Sequence, residues 1–205
     1  MNISYKYYIQ TLRAFSVLIV IFYHLNFELF SKGYLGVDIF FVISGYVISQ
    51  RIYKDYLLYR KILIKDFFIR RLKRIFPVLI FIVVFIFFIL LIFGPLSLVP
   101  NAFKVSFFSI FGISNIYFLL QKKDYFNTVF DDPLGHTWSL GIEEQFYLIY
   151  PVLIYGLFRI LKENREKKIS LIFFIISILL IFLTFYLSDD NPNLVFYFPL
   201  FRFWE

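Results

Sequence analysis

The stretch TLRAFSVLIVIFYHLNFE, from Thr11 to Glu28, is apolar over most of its length but contains an arginine and a histidine. Arg13 and His24 are eleven residues apart, which places both side chains on one face of a helix with about 16 Å of rise between them. That rise is roughly half the hydrocarbon thickness of a bilayer. A mid-bilayer arginine costs about 2.5 to 3.5 kcal/mol to insert, so such residues are usually retained for a site or a partner. The pattern predicts a spanning helix with a polar path along one face.

The composition extends this interpretation to the whole chain. Of its 205 residues, 60% are hydrophobic and 24% aromatic, more apolar surface than a water-soluble domain can cover. The net charge is +7, but the cations stand in blocks between apolar runs, as the positive-inside rule predicts, so nucleic acid is not an expected partner. The chain has no cysteine and two histidines, which excludes disulfides and makes a metal site unexpected. We expect an integral membrane protein.

The apolar runs predict an all-α fold, a polytopic transmembrane helix bundle with about five to six spans. The predicted spans are Thr11 to Phe27, Leu35 to Ile52, Pro77 to Phe93, Leu140 to Phe158 and Ile169 to Leu187, and a further helix is predicted to begin at Leu194. Nine cations between Arg51 and Arg74 mark that segment as cytoplasmic. We find no repeat or soluble domain, so residues 1–205 are predicted to form a single transmembrane domain.

The apolar run from Ala102 to Leu120 is more polar than the others, and its crossing of the membrane is in question. If it crossed fully, the loop from Arg159 to Lys168, with five cations, would lie outside the cell, against the positive-inside rule. If the run is re-entrant or lies on the surface, the helix from Leu140 enters from outside and that loop is cytoplasmic. We therefore predict a re-entrant or surface-lying segment over residues 102–120.

This topology sorts the polar residues by side. The outer side receives His24, Asp38, Glu143 and Glu144, and the inner side receives Arg13, Arg71 and Arg74. A histidine beside a carboxylate is the usual arrangement for taking a proton from a hydroxyl. Glu28, one turn beyond His24, is a further candidate to orient the imidazole. Arginines three residues apart present a double fork suited to phosphates.

Each candidate also has a structural interpretation. His24 could hydrogen-bond a neighbouring carbonyl near the helix end, and Asp38 could be a helix N-cap. Arg71 and Arg74 could anchor the helix among lipid headgroups. Glu143 and Glu144 are harder to explain in this way, because burying either carboxylate demands a partner.

Five segments, taken in order, resemble the signatures of the acyltransferase 3 family of membrane O-acyltransferases. They are YIQTLRAFSVLIVIFYH, GYLGVDIFFVISGYVIS, RRLKRIFP, HTWSLGIEEQFYLIYP and FRFWE. The resemblance implies a bundle of about ten helices in the inner (cytoplasmic) membrane. It implies transfer of an acyl group, mostly acetyl, from cytoplasmic acetyl-CoA to an extracytoplasmic carbohydrate such as lipopolysaccharide or exopolysaccharide.

The family motifs fall on numbered positions of this chain. The arginine, ten-residue gap and histidine match Arg13 and His24, RxxR matches Arg71 and Arg74, and the serine-leucine-x-x-glutamate-glutamate-glutamine motif matches Ser139, Leu140, Glu143, Glu144 and Gln145. The resemblance implies that the inner arginines bind the phosphates of CoA and that His24 activates the acceptor hydroxyl, with Glu143 or Glu144 orienting it or binding the acceptor. We expect Asp38, Ser139 and Gln145 to contact the acceptor.

The chain departs from the family pattern at two places. Gln10 and Thr11 stand where the family usually has aspartate and glycine, and the chain ends in FRFWE, inside a predicted helix. The sequence is therefore expected to be the N-terminal portion of a longer enzyme, incomplete at its C-terminus. Two alternatives stay open, a proton-coupled transporter with Arg13, His24 and Glu143 as a relay, and an inactive truncated remnant.

Overall fold

A computed structural model describes residues 7–123, 132–161 and 164–205. These residues form α-helices and short 3₁₀ turns without a strand, which confirms the all-α prediction. The helices are α1 (Tyr7–His24), α2 (Leu35–Tyr59), α3 (Ile64–Phe93), α4 (Val99–Ile110), α5 (Ser114–Leu120), α6 (Thr137–Ile160), α7 (Arg165–Ser188) and α8 (Pro192–Tyr197). Short 3₁₀ turns lie at Glu28–Phe30, Leu96–Leu98 and Pro199–Arg202. The chain divides into two compact units, one up to Ile62 and the other from Leu63 to Trp204.

Three of the described helices, α2, α3 and α7, are long and apolar enough to cross a membrane. The outer face of α3 carries large aromatic rings that are more than half exposed, Phe81, Phe85 and Phe88 among them. Such a face suits contact with lipid chains, because lipid tails are as apolar as the side chains and exposure to them carries no hydrophobic cost. Helices α1 and α6 are not among these three; α1 carries Arg13 and His24, and α6 carries the motif glutamates.

The first unit is built on close packing between α1 and the start of α2. At Gly36, a Cβ atom would lie 2.5 Å from the Ser16 carbonyl oxygen, and at Gly33 it would lie 2.5 Å from the Ile19 carbonyl oxygen. Only glycine allows the two backbones to come so close. Ser44 is buried further along α2, and its small side chain leaves room for the partner helix.

Several predicted boundaries were wrong, each for a local reason. The helix that contains the predicted span from Pro77 begins at Ile64. A proline inside a helix removes a hydrogen bond and clashes with the preceding turn, but membrane helices tolerate it because neighbouring groups satisfy the freed backbone. The cations from Lys65 to Arg74 therefore lie on the helix. Helix α2 continues to Tyr59 instead of ending at Ile52.

The helix predicted to begin at Leu194 is present and begins at Pro192, but it does not continue to the end of the chain. Helix α8 ends at Tyr197, and Phe198 is extended, with ψ of 124°. The next residue is Pro199, whose ring disfavours the helical conformation at the residue before it. The chain continues as the 3₁₀ turn Pro199–Arg202.

The run from Ala102 to Leu120 forms a hairpin of two short helices, α4 and α5. The chain reverses at Gly112, which has a φ of +67°. The Tyr117 hydroxyl donates to Asn101 Oδ1 at 3.3 Å, and the Tyr117 ring stacks on Phe108 with centroids 4.6 Å apart. The end of α5 therefore returns to the start of α4, and the run is not one straight span, in agreement with the re-entrant interpretation.

Candidate functional site

Arg13 is buried in the first unit, between α1 and α2. It is 9% exposed, its Nη2 donates to Ser44 Oγ at 3.3 Å, and its guanidinium carbon lies 5.2 Å from the centroid of the Phe40 ring. A buried guanidinium is stabilised by such hydrogen-bonding and aromatic partners. Arg13 thus connects α1 to α2 on the same face of α1 that carries His24.

His24 is the last residue of α1 and is half-buried. Its Nδ1 lies 2.8 Å from the Val20 carbonyl oxygen. A carbonyl oxygen only accepts hydrogen bonds, so in the neutral imidazole the proton is on Nδ1 and the lone pair is on Nε2. The structural interpretation of His24 is confirmed, and the same bond selects the tautomer that a general base requires.

Glu28 and Asp38 differ from their sequence interpretations. Helix α1 ends at His24, Asn26 has a φ of +56°, and Glu28 begins a separate 3₁₀ turn. The expectation that Glu28 continues the helical face of His24 is therefore wrong. The N-cap residue of α2 is Tyr34, and Asp38 lies in the first turn, so the N-cap interpretation of Asp38 is wrong as well.

In the second unit, the first arginine of RxxR meets the glutamate motif. The Arg71 guanidinium carbon lies 3.7 Å from the centroid of the Tyr147 ring, and the Glu144 carboxylate interacts electrostatically with both Arg71 and Glu143. Glu143 is 7% exposed. Arg71 and the glutamate motif therefore lie in one region of the second unit, and their assignment to opposite sides of the membrane stays a prediction. Residue spacing along each helix does not report which helices pack together.

The other motif residues have distinct environments. Arg74 is exposed, one turn beyond the half-buried Arg71. Ser139 Oγ donates to the His136 carbonyl oxygen at 3.2 Å, within the first turn of α6. Gln145 Nε2 donates to the Gly112 carbonyl oxygen and to Asn115 Oδ1, each at 2.8 Å. Both N–H groups of Gln145 are thus used inside the protein, which leaves its Oε1 for any acceptor contact.

Three residues of this region were missing from the sequence analysis as site residues. A Cβ atom at Gly112 would collide with the Glu144 carboxylate, Asn115 joins Gln145 to the hairpin, and Tyr147 packs against Arg71. A signal was present for Tyr147, which lies one helical turn after both glutamates and therefore on their face. For Gly112 the sequence offered only a glycine in an unusually polar run.

The acidic and histidine side chains that the structure describes do not form a metal site. Within residues 7–123, 132–161 and 164–205, no three of them are grouped closely enough to hold an ion.

Comparison with known proteins gives consistent matches. A family model described as an acyltransferase domain matches residues 6–204. The O-acetyltransferase OatA of Staphylococcus aureus (strain NCTC 8325) is 40% identical over 185 residues, which are 90% of this chain and 30% of that protein. A putative O-acetyltransferase of Staphylococcus aureus (strain COL) is 38% identical over 188 residues, 89% of this chain and 30% of that protein. The chain thus spans about 30% of the length of these curated relatives. No solved structure matches.

Proposed function

Because the chain belongs to the acyltransferase 3 family, we propose that it catalyses O-acetyl transfer to a carbohydrate at a membrane. The donor is acetyl-CoA from the cytoplasm. The acceptor is a hydroxyl of an extracytoplasmic glycan, such as lipopolysaccharide, exopolysaccharide or a related polymer. The names of the similar proteins, which specify O-acetyl transfer, support acetyl as the acyl group.

The observation that carries this proposal is the hydrogen bond from His24 Nδ1 to the Val20 carbonyl oxygen. With its proton on Nδ1, the imidazole accepts the acceptor hydroxyl proton at Nε2. The acceptor oxygen attacks the thioester carbonyl carbon, a C–O bond forms and the C–S bond breaks. The proton held on Nε2 then passes to the departing CoA sulfur, so that free CoA and the acetyl ester are the products.

The donor's phosphates are anions, and three arginines are assigned to them. Arg74 is exposed and its guanidinium is accessible from solvent, while Arg71 lies one turn away on the same helix. Arg13 lies on the same face of α1 as His24, about three helical turns before it. Bidentate guanidinium contacts are the strongest side-chain contacts to phosphate oxygens. Glu143 and Glu144 are assigned to the acceptor or to the orientation of the base, and Asp38 and Ser139 to the acceptor.

The test is the substitution of His24 at the native gene in the producing cell. We expect His24→Gln and His24→Ala to lower ester-linked acetate on surface glycans by at least about a hundredfold, the usual effect of losing a general base. The amount of protein in the membrane is measured in parallel. Leu25→Ala is the matched control, because Leu25 is 61% exposed beside His24 and carries no acid–base group.

Two results would count against the proposal. Full acetate on glycans of the His24→Gln strain, with normal protein levels, would remove His24 from the reaction. The second result would come from membrane vesicles supplied with acetyl-labelled acetyl-CoA, where the proposal requires label on the glycan. Movement of a solute without consumption of acetyl-CoA would instead favour a transporter.

A further inference from the structure

The contact between Arg71 and Tyr147 is closer than an ordinary cation–π contact. The guanidinium carbon lies 3.7 Å from the ring centroid, whereas cation–π pairs extend to about 6 Å. At the shorter distance the planar guanidinium lies over the ring at van der Waals contact. The ring then covers one face of the guanidinium, while its N–H bonds, which lie in the plane, point to the sides.

The charges around Arg71 show why the ring matters. Glu144 interacts electrostatically with Arg71 and with Glu143, so the guanidinium is subject to the attraction of a carboxylate. Without another restraint, Coulomb attraction would draw the guanidinium toward that carboxylate and away from any other anion. Tyr147 is 2% exposed, and its ring is therefore fixed in the core of the second unit.

We propose that Tyr147 is a positioning residue for Arg71: its ring holds the guanidinium in the orientation that binds the phosphates of the acyl donor. This inference rests on the proposed function, because it assigns Arg71 to donor binding. The proposed role belongs to the aromatic ring of Tyr147 and not to its hydroxyl. In the part of the chain that the structure describes, the Tyr147 hydroxyl has no hydrogen-bond partner, so the ring alone accounts for the role.

The experiment measures binding of coenzyme A to the purified protein in lipid nanodiscs by titration calorimetry. Tyr147→Leu is expected to raise the dissociation constant about tenfold, the size of a well-formed cation–π contact. Tyr147→Phe keeps the ring and is expected to bind within about twofold of the parent. Arg71→Lys keeps the charge but loses the planar stack, and is expected to match Tyr147→Leu.

Steady-state kinetics provide a readout that a general packing defect would not produce. We expect Tyr147→Leu to raise the KM for acetyl-CoA about tenfold and to leave kcat nearly unchanged, because donor binding and not the proton transfer is affected. Tyr150→Leu is the matched control. Tyr150 lies on the same helix and packs on Phe146 and Phe173, so its replacement removes a similar ring from the same helix.

Three results would overturn the inference. In the first, Tyr147→Phe binds as weakly as Tyr147→Leu, which would assign the role to the hydroxyl. In the second, Tyr147→Leu and Arg71→Lys both bind coenzyme A like the parent. In the third, Tyr150→Leu weakens binding as much as Tyr147→Leu does. If the parent protein itself fails to bind coenzyme A, the donor assignment in the proposed function is wrong, and the inference falls with it. If the parent binds coenzyme A and the Tyr147 variants bind it equally well, the inference is wrong but the proposed function stands.

Discussion

Gln145 donates a hydrogen bond from Nε2 to the carbonyl oxygen of Gly112 at 2.8 Å. The bond joins α6 to the tip of the hairpin formed by α4 and α5. The same nitrogen donates to Asn115 Oδ1 at 2.8 Å, and Asn115 Nδ2 donates to the Tyr197 carbonyl oxygen at 3.0 Å. This chain of bonds holds the hairpin tip beside Glu144, so the fold of the hairpin and the position of the glutamate motif depend on each other.

Gly112→Ala is expected to destabilise the protein and to displace Glu144. Gly112 has a φ of +67°, and the Glu144 carboxylate lies where a Cβ atom would be placed, so alanine meets both backbone strain and a collision. We expect a loss of about 1 to 3 kcal/mol in unfolding free energy. Thermal unfolding in detergent and acetyl transfer are measured together, and both should fall.

The matched control for this substitution is Gly156→Ala. Gly156 lies inside α6 with no heavy atom within 4 Å of its Cβ position. Alanine there should leave stability unchanged or raise it by up to about 1 kcal/mol, the difference in helix propensity. Equal effects of the two substitutions would show that the hairpin tip does not require glycine.

Gln145→Glu is expected to be more damaging than Gln145→Ala. The amide nitrogen of Gln145 faces two acceptor oxygens. A glutamate would place a negatively charged oxygen in its position, and this oxygen would be repelled by both acceptors. Losing the hydrogen bonds costs about 0.5 to 1.5 kcal/mol each, and an uncompensated buried charge costs more. The melting temperatures of the purified variants test this order.

An exposed glutamine serves as the control for Gln145. Gln50 Nε2 donates to the Tyr46 hydroxyl at 2.6 Å on the exposed side of α2, where water can replace the bond. Gln50→Glu should change stability by no more than about 0.5 kcal/mol. A Gln145→Glu protein as stable as its parent would contradict the bonding described for the hairpin tip.

Gly36→Ala is expected to separate α1 from α2. The new Cβ would lie 2.5 Å from the Ser16 carbonyl oxygen and 2.8 Å from Val20 Cγ2, and the backbone oxygen has no freedom to move away. Overpacking of this kind costs about 1 to 3 kcal/mol. Thermal unfolding measures the loss, with Gly156→Ala again as the control. An unchanged melting temperature would mean that the two helices are not packed as closely as described.

Asp132→Asn is expected to loosen the base of the hairpin. The Asp132 carboxylate accepts hydrogen bonds from Asn101 Nδ2 at 2.7 Å, Lys123 Nζ at 3.1 Å and the Leu134 backbone N–H at 3.2 Å. Its side chain is fully buried. An amide at this position would place its own N–H groups opposite hydrogen-bond donors, and the Lys123 charge would lose its carboxylate partner. We expect a loss of about 1 to 3 kcal/mol, measured by thermal unfolding.

The control for Asp132 is Asp190→Asn, at an exposed position after α7. A surface change of this kind usually alters stability by no more than about 0.5 kcal/mol. Added salt should also have little influence on the Asp132 effect, because buried charges are screened much less than exposed ones. Equal melting temperatures for Asp132→Asn and the parent would contradict the cluster.

Much of the architecture was predictable because its causes are local. Apolar runs of sufficient length must be helical in lipid, where every backbone group needs an internal partner, and the all-α prediction followed from that rule. The polar run from Ala102 to Leu120 pointed to a segment that does not cross in one helix. The helix at Leu194 ends early because Pro199 disfavours the helical conformation at the residue before it, a local signal that the length of the apolar run does not carry.

The amino-acid order also pointed to the candidate site residues, since an arginine, a histidine or paired glutamates in an apolar run are costly and therefore conspicuous. It did not show that Arg71 meets Tyr147 and Glu144, or that Gly112 and Gln145 hold those glutamates in place. Such contacts join residues that are 33 to 76 positions apart, and they depend on which faces of α3, α5 and α6 fit together. The cost of burying a charge is a property of one residue and its neighbours in the chain, whereas the partner that offsets this cost is chosen by the packing of whole helices.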